Sequence, residues 1–366
     1  MKAMLVLANG MVFEGKNFGA QGTRVGEVVF NTGMVGYEET LTDPSYYGQI
    51  ITAAYPLVGN YGVNGEDAES SRIWAFGYIV REACETPSNF RCQKTLDAFL
   101  KEQNIIGLEG IDTRRLVRVL REAGVMNGAL TTEYETAEAA LADEKLMESI
   151  RSYAVTEAVK SVTTGEPEVF NEDGSYRVAL FDFGCKRNIV RCLVKRGCRV
   201  AVVPAETTAD QLKDMDLDGI MLSNGPGDPA ENVQIIENLR DIAKMGLPIF
   251  GICLGHQLMA LAQGAKTEKL KYGHRGVNQP VTDLAHGRTY ITSQNHGYAV
   301  VGSSVDASVA EISAVNANDN TVEGLRYKNF DCFTVQFHPE ACGGPRDTEY
   351  LFDEFIAMMA KRKGEA

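Results

Sequence analysis

The stretch Leu247-Pro248-Ile249-Phe250-Gly251-Ile252-Cys253-Leu254-Gly255-His256-Gln257-Leu258 decides how the C-terminal part of the chain folds. It begins with a short apolar run that predicts a buried strand, and the leucine, methionine and alanine residues that follow favour a helix. Gly-x-Cys-x-Gly at the junction places a thiol on a sharp strand-to-helix turn, an arrangement called a nucleophile elbow. The positive end of the helix dipole favours the thiolate there. A buried structural cysteine in a Gly-rich turn is the alternative interpretation.

The sequence around the elbow alternates between strand and helix patterns from residue 177 onward. Apolar runs predict strands at 178–184, 199–204, 219–224 and 247–252, and amphipathic segments predict helices at 186–195, 209–215 and 231–244. This βαβ series predicts a mostly parallel central sheet with flanking helices. Ligands of such sheets bind at the carboxyl ends of the strands, where Cys253 and the loop 225–229 both fall.

The N-terminal part of the chain has a different pattern. Residues 1–60 contain short β runs bounded by Gly and Pro, and amphipathic helices are predicted at 93–103, after the N-cap residue Asp112 and at 136–152. A polar stretch without periodicity precedes residue 177. We therefore expect an α/β protein with a mixed β/α domain at 1–150, a linker at 151–176 and a second domain at 177–366.

The composition argues against nucleic-acid-binding, membrane and secreted proteins. The 366 residues carry a formal net charge of −13, which argues against nonspecific nucleic-acid binding. Basic residues recur at helical spacing within 114–121 and 186–196, a pattern typical of solvated or interfacial faces. No apolar run is long enough for a membrane helix, and the start of the chain lacks the features of a signal peptide. We therefore expect a cytoplasmic protein whose eight cysteines are mostly free thiols and form no metal site.

A thiol nucleophile needs a base, and the base needs an acceptor that orients it. Of five histidines, His338 follows the predicted strand 333–337, and Glu340 lies two residues on, where its carboxylate can hold the imidazole tautomer. His256 follows the cysteine on the same helix, cannot easily reach the sulfur, and is interpreted as structural. His-Pro-Glu alone is a weak signal. Combined with the elbow, it predicts a triad of Cys253, His338 and Glu340.

The oxyanion that develops during attack on an amide needs backbone donors. The N–H of Leu254, directly after the nucleophile, is one candidate. A glycine N–H from the loop Gly225-Pro226-Gly227 is the other, because glycine lets the main chain approach the reacting carbonyl. An ordinary Pro-Gly turn is the alternative interpretation of that loop.

These motifs carry a family resemblance. The elbow at 251–257, His338-Pro339-Glu340 and Ser-Asn-Gly-Pro-Gly-Asp-Pro at 223–229 resemble the class I (triad) glutamine amidotransferases. Four further segments resemble the small, glutamine-hydrolysing subunit of carbamoyl-phosphate synthase, and lie at 26–32, 42–46, 107–114 and 293–298. The resemblance covers nearly the whole chain, with both domains in order.

The resemblance implies roles for individual residues. Cys253 would attack the side-chain amide of L-glutamine, and His338, oriented by Glu340, would transfer the proton that releases ammonia and then activate water. Gly225 and Leu254 would supply oxyanion N–H groups. The positions that match glutamine-binding residues are Ser45, Gly225, Gly227, Leu254, Gln257, Asn295, Gly297 and Tyr298. Since Ser45 belongs to the N-terminal domain, the implied site lies near the cleft between the domains.

The resemblance also implies a partner. The family passes ammonia to a large synthetase subunit that makes carbamoyl phosphate from bicarbonate and ATP, for arginine or pyrimidine biosynthesis. This chain has no Gly-x-x-x-x-Gly-Lys-Ser/Thr loop, so we expect no cofactor here and Mg-ATP on the partner. The expected assembly is a heterodimer or a higher oligomer of heterodimers, with the N-terminal domain as the docking surface.

Two other classes of function compete with this interpretation. A non-catalytic scaffold that only docks and regulates a synthetase is disfavoured by the intact Cys253, His338 and Glu340. A free-standing thiol hydrolase such as a peptidase leaves the N-terminal domain unexplained. Two segments depart from the usual family pattern, 273–280 and 341–344, and neither carries a residue of the triad.

Overall fold

The computed structural model describes residues 1–365, and the chain divides into two compact units. Unit 1 runs from Met1 to Val155, and unit 2 begins at Thr156. The segment 151–176, expected to be a linker, is more structured than its polar sequence indicates. It contains a helix at Ala158–Val162 and a strand at Glu168–Phe170, both in unit 2. Both elements are too short for periodicity to reveal them.

Unit 1 is built around a closed seven-stranded barrel in the order β1-β2-β8-β6-β4-β3-β9. Closure leaves no exposed sheet edge in the barrel, and two short strands, β5 and β7, pair separately. The strands are β1 (Lys2–Leu7), β2 (Val12–Gly19), β3 (Thr23–Asn31), β4 (Gln49–Ala53), β5 (Leu57–Val58), β6 (Gly77–Ile79), β7 (Glu82–Ala83), β8 (Ile106–Glu109) and β9 (Met126–Thr131).

Five α-helices accompany the barrel, and side-chain caps mark where four of them begin. They are α1 (Tyr37–Thr42), α2 (Leu96–Glu102), α3 (Thr113–Ala123), α4 (Ala137–Ala142) and α5 (Glu144–Ser152). The side chain of Asp112 accepts a hydrogen bond from the Arg115 N–H, which confirms the predicted N-cap. The helix predicted at 136–152 is two helices. The break falls at Asp143, whose carboxylate caps α5 by accepting from the N–H groups of Lys145 and Leu146.

Unit 2 contains a ten-stranded sheet in the order β10-β12-β11-β13-β14-β19-β18-β17-β15-β16. The five neighbours from β12 to β19 are parallel, as the βαβ pattern predicts, and the remaining pairs are antiparallel. The strands are β10 (Glu168–Phe170), β11 (Tyr176–Asp182), β12 (Cys198–Pro204), β13 (Gly219–Leu222), β14 (Ile249–Ile252), β15 (Thr267–Asp283), β16 (Arg288–Val300), β17 (Ala310–Asn316), β18 (Val322–Tyr327) and β19 (Cys332–Val335).

Helices cover both faces of the parallel strands because successive strand residues point to opposite sides. Ile249 packs in one buried cluster with residues of several helices, and the next residue, Phe250, packs in the opposite cluster. The helices are α6 (Ala158–Val162), α7 (Arg187–Lys195), α8 (Ala209–Leu212), α9 (Val233–Ile242), α10 (Leu254–Ala262) and α11 (Tyr350–Lys363). Helices α9 and α10 lie on the Ile249 side, and α7 and α11 lie on the Phe250 side. Among residues 1–365, no helix combines the length and apolar character that a membrane span requires.

Candidate active site

Cys253 lies on the turn between β14 and α10, where its backbone has φ 53° and ψ −103°. This positive φ is strained for a residue with a side chain, and such strain persists only where the surroundings hold it. The Cys253 N–H donates to the Val335 carbonyl at 2.8 Å, and the Gly255 N–H donates to the Ser223 carbonyl at 3.0 Å. A Cβ on Gly255 would lie 2.5 Å from the Leu222 carbonyl oxygen, so the tight approach of α10 to β13 requires glycine.

The strand order places the thiol and the imidazole at the same edge of the sheet. β14 and β19 are parallel neighbours with Ile252 opposite Val335; Cys253 directly follows β14, and His338 follows β19 by three residues. The His338 N–H donates to the Ser293 carbonyl at 2.9 Å, which fixes the chain as it leaves the strand. The Cys253 sulfur lies 3.7 Å from the carbonyl oxygen of Asn295.

His338 and Glu340 form a fully buried pair. The ring Nδ1 of His338 lies 2.7 Å from Oε1 of Glu340, and both side chains are 0% exposed. The other ring nitrogen, Nε2, is buried and has no hydrogen-bond partner among the described residues. Because the carboxylate holds the proton on Nδ1, Nε2 carries the lone pair that a general base uses.

A third charged group completes this cluster. The ammonium of Lys186 lies 3.1 Å from Nδ1 of His338 and 3.2 Å from Oε1 of Glu340. Burial alone would raise the pKa of Glu340, but the charges of His338 and Lys186, with the hydrogen bond from His338, outweigh burial and lower its pKa to about 2. Glu340 is therefore ionised at neutral pH, and it orients His338 as an acceptor.

Sequence reasoning missed Lys186, because it grouped this residue with the basic face of α7. In the structure Lys186 is the N-cap of α7 and is only 7% exposed. Its N–H donates to Oδ1 of Asn224, in the loop that follows β13. Its position in the sequence could have indicated a role in the site. Lys186 follows the carboxyl end of β11, and ligands of parallel sheets bind at this edge.

The loop after β13 is rigid, and its glycines are sterically required. The buried Asn224 donates from Nδ2 to the Gly184 carbonyl, and the Phe183 N–H donates to the Ser223 hydroxyl. A Cβ on Gly225 would lie 2.1 Å from the Phe183 carbonyl oxygen and 2.7 Å from a methyl carbon of Leu254. Gly225 is therefore next to the first residue of α10, as a shared oxyanion site requires.

The remaining predicted glutamine-binding residues divide between the two units. In unit 2, the buried Gln257 donates from Nε2 to the Tyr298 carbonyl at 2.7 Å and to Oε1 of Gln336 at 2.9 Å. Asn295, Gly297 and Tyr298 follow one another along β16, and Gly227 adopts φ 88° beside Ala158. Ser45 lies in unit 1, in a short 3-10 turn at Pro44–Tyr46, and its N–H donates to Oδ1 of Asp43. The glutamine-binding roles of these residues stay predictions.

The other buried histidines differ from His338. Nδ1 of His256 pairs with the Thr334 hydroxyl at 2.8 Å, and burial lowers the pKa of His256 to about 3, so this ring is neutral. His274 and His296 lie with Glu323 in a separate buried group, on β15, β16 and β18, that has the side-chain types of metal ligands. No sequence motif marks His274 or Glu323 as members of one site.

Comparisons with known proteins agree with the sequence motifs. Residues 5–130 match the family model of the carbamoyl-phosphate synthase small chain, CPSase domain, and residues 179–358 match that of the class-I glutamine amidotransferases. The chain is 50% identical to the carbamoyl phosphate synthase small chain of Syntrophotalea carbinolica, over 99% of each chain. It is 49% identical to that of Clostridium perfringens, over 97% of this chain and 99% of the relative, and 51% identical to that of Bacillus cereus strain ATCC 10987, over 100% and 98%.

Proposed function

The chain belongs to the family of carbamoyl-phosphate synthase small chains, and from that premise we propose that it is the glutaminase subunit of the enzyme. It hydrolyses L-glutamine to glutamate and ammonia. The observation that carries the proposal is the pair of parallel strands β14 and β19, because Cys253 and the hydrogen-bonded pair of His338 and Glu340 follow their carboxyl ends.

The first half of the reaction forms a thioester. Nε2 of His338 takes the proton of Cys253, and the sulfur attacks the side-chain amide carbon of glutamine. The N–H groups of Leu254 and Gly225 stabilise the oxyanion. The imidazolium then returns its proton to the amide nitrogen, and the C–N bond breaks to release ammonia and leave the glutamyl thioester.

The second half regenerates the thiol. His338, neutral again, takes a proton from water, and the resulting hydroxide attacks the thioester carbonyl. The C–S bond breaks, glutamate leaves, and the proton returns to the Cys253 sulfur. Glu340 holds the ring orientation through both halves and stabilises each imidazolium, which its low pKa supports.

Recognition of glutamine needs donors and acceptors for a carboxylate and an ammonium without a large net charge. The proposed residues are Ser45, Gly225, Gly227, Leu254, Gln257, Asn295, Gly297 and Tyr298. The contact of Gln257 with the Tyr298 carbonyl, and of Cys253 with the Asn295 carbonyl, supports the part of this set that lies in unit 2.

The ammonia is consumed by a large synthetase subunit, which binds Mg-ATP and bicarbonate and makes carbamoyl phosphate for arginine or pyrimidine biosynthesis. The glutaminase reaction itself uses no cofactor in this chain. We place the complex, a heterodimer or an oligomer of heterodimers, in the cytoplasm. No disulfide joins the eight cysteines among residues 1–365, which is typical of a reducing compartment.

The test compares two nitrogen sources in the complex with the large subunit. Wild type supports carbamoyl phosphate synthesis from glutamine and from free ammonia, whereas Cys253→Ser supports synthesis from ammonia alone. No glutamine hydrolysis by the wild-type chain, even with the large subunit present, would favour a scaffold role. Hydrolysis of peptide amides by the isolated chain, without preference for glutamine, would favour a free-standing hydrolase.

A further inference from the structure

A group of three buried side chains on three strands of unit 2 is not used by the glutaminase reaction. His274 lies on β15, His296 on β16 and Glu323 on β18, and they are 8%, 5% and 0% exposed. One ligand atom from each residue lies within 4.8 Å of the other two. Within residues 1–365 it is the one group of this kind. Two imidazoles and one carboxylate are a common zinc-binding set.

The hydrogen bonds of His274 leave one nitrogen directed into the group. Nε2 lies 2.8 Å from Oδ2 of Asp319, so the N–H of this ring donates to a carboxylate. Nδ1 then carries a lone pair; it is buried, lies 3.6 Å from Oε1 of Glu323 and has no hydrogen-bond partner among the described residues. An imidazole that donates to a carboxylate with one nitrogen and binds the ion with the other is the usual arrangement at metal sites.

His296 is oriented in the same way by a carbonyl group. Its Nδ1 lies 2.8 Å from the Tyr298 carbonyl oxygen, which can only accept, so Nδ1 carries the hydrogen. Nε2 then presents a lone pair to Oε1 of Gln294 at 3.1 Å, which is also an acceptor. The amide nitrogen of Gln294 is committed to Oε2 of Glu323 at 2.9 Å. Two acceptors face each other without a hydrogen between them, and a cation resolves this contact.

The charges around the group favour an added positive charge. Glu323 is fully buried and forms no ion pair with a lysine or arginine of residues 1–365, and Nδ1 of His274 lies 3.6 Å from its Oε1, too far for a hydrogen bond. Oδ2 of Asp319 lies 2.8 Å from Nε2 of His274 and Oε1 of Glu323 lies 3.6 Å from Nδ1, so two carboxylates face this ring. Arg275 follows His274 in the sequence, and its guanidinium donates to the Tyr272 carbonyl.

We propose that Nδ1 of His274, Nε2 of His296 and a carboxylate oxygen of Glu323 bind a zinc ion, with Oε1 of Gln294 or a water as the fourth ligand. Ligands of tetrahedral zinc lie about 3.3 Å apart for bonds of about 2.0 Å, close to the 3.6 Å between Nδ1 of His274 and Oε1 of Glu323. Every ligand has a second partner that orients it: Asp319, the Tyr298 carbonyl and the Gln294 amide.

The ion is structural, and it ties β15, β16 and β18 together behind the nucleophile. His296 lies between Asn295, whose carbonyl oxygen is 3.7 Å from the Cys253 sulfur, and Gly297 with Tyr298. Zinc therefore fixes the β16 segment that lines the thiol, without contacting the substrate. This proposal does not depend on the proposed function, because binding of the ion needs no turnover.

The experiment measures zinc on the full-length chain after dialysis against metal-free buffer. We expect about one zinc per chain by mass spectrometry, and X-ray absorption with nitrogen and oxygen scatterers only. Removal of the ion by a chelator should lower the Tm by several degrees, and added zinc should restore it. His274→Ala and Glu323→Gln should each reduce the bound zinc at least tenfold.

Two control variants test whether the zinc lies at this group or at a cysteine or histidine elsewhere in the chain. Cys253→Ser should keep its zinc, which rules out the catalytic thiol as a ligand. His286→Ala should also keep it, because His286 is exposed and pairs with Asp283 outside the group. Sulfur scatterers in the wild type, or loss of zinc in Cys253→Ser, would overturn the proposal.

Wild-type chain that retains no zinc, and whose Tm responds to neither chelator nor zinc, would also overturn it. A nitrogen-15 spectrum with both nitrogens of His274 protonated would do the same, because a proton would then supply the positive charge. These outcomes are read on the wild type, so misfolding of a variant does not affect them.

Discussion

Unit 2 contains two buried pairs of histidine and glutamate, one in the loop after β19 and the other on β15 and β18, and the pKa values of the two carboxyl groups are shifted in opposite directions. His338 and Glu340 are 2.7 Å apart, and the pKa of Glu340 is lowered to about 2. His274 and Glu323 are 3.6 Å apart, and burial raises the pKa of Glu323 in spite of the histidine. Two features account for the difference: His338 lies closer to its carboxylate than His274 does, and the ammonium of Lys186 lies 3.2 Å from Glu340. A carboxylate in a protein interior stays ionised when a fixed cation contacts it, and otherwise the site favours a proton or a metal ion.

The largest expected effect separates the roles of the two histidines. His338→Asn removes the group that moves protons, so glutamine-dependent turnover should fall by about 10⁴-fold or more while ammonia-dependent synthesis persists. His274→Asn should lower turnover by no more than about tenfold and should act mainly on stability. Steady-state rates of the complex with glutamine and with ammonia test this. Equal losses in the two variants would show that the pairs do not differ in function.

Stability at acid pH should depend on Glu340. Its folded-state pKa lies below the ordinary value of 4.5, so its ionisation stabilises the fold fully above pH 4.5, and this stabilisation is lost as pH falls towards 2. The free-energy difference is on the order of 3 kcal/mol. The difference in urea midpoint between wild type and Glu340→Gln should therefore shrink between pH 5 and pH 3. Glu311→Gln, at an exposed position on β17, is the control and should follow the wild type.

Removing the Lys186 ammonium should make the pair of His338 and Glu340 resemble the pair of His274 and Glu323. Lys186→Met leaves Glu340 buried with His338 alone, so the pKa of Glu340 should rise and the acid limb of the pH–rate profile should move towards neutral pH. We expect turnover at pH 7 to fall about tenfold to a hundredfold. Lys195→Met, on the exposed face of the same helix, is the matched control. An unchanged acid limb in Lys186→Met would contradict the role given to the ammonium.

The smallest effect on turnover is expected at His256, whose hydrogen-bond partner is a hydroxyl group and not a carboxylate. His256 is neutral and bonds to the Thr334 hydroxyl. His256→Asn should change kcat by less than about tenfold and leave the pH–rate profile in place, with any cost appearing in Tm. A shifted profile would mean that this ring exchanges protons during turnover.

Much of the fold could be predicted from local patterns. The parallel strands of unit 2 follow from apolar runs, and the start of α3 follows from Asp112. The break at Asp143 was missed, because a carboxylate inside a helical pattern indicates a cap only when its backbone is known. The closed barrel was missed as well, since it joins β2 to β8, which are far apart in the sequence.

The candidate site also contains residues that local motifs predict and residues that only the tertiary fold brings together. Cys253, His338 and Glu340 carry motifs that a sequence displays. Lys186 lies 152 residues before His338, and His274 lies 49 residues before Glu323, so no local pattern joins either pair. Each becomes recognisable only after parallel and antiparallel strands bring it to its partner, because the burial of a charged group is a property of the tertiary fold.

The backbone at Cys253 has a consequence for how this chain can change. At φ 53° and ψ −103° the turn suits glycine better than any residue with a side chain, and the strain is about 1–3 kcal/mol. A mutation to glycine would relax the turn and abolish the chemistry in one step. The most stable form of this turn would therefore be an inactive protein, and the thiol is held at the expense of local stability.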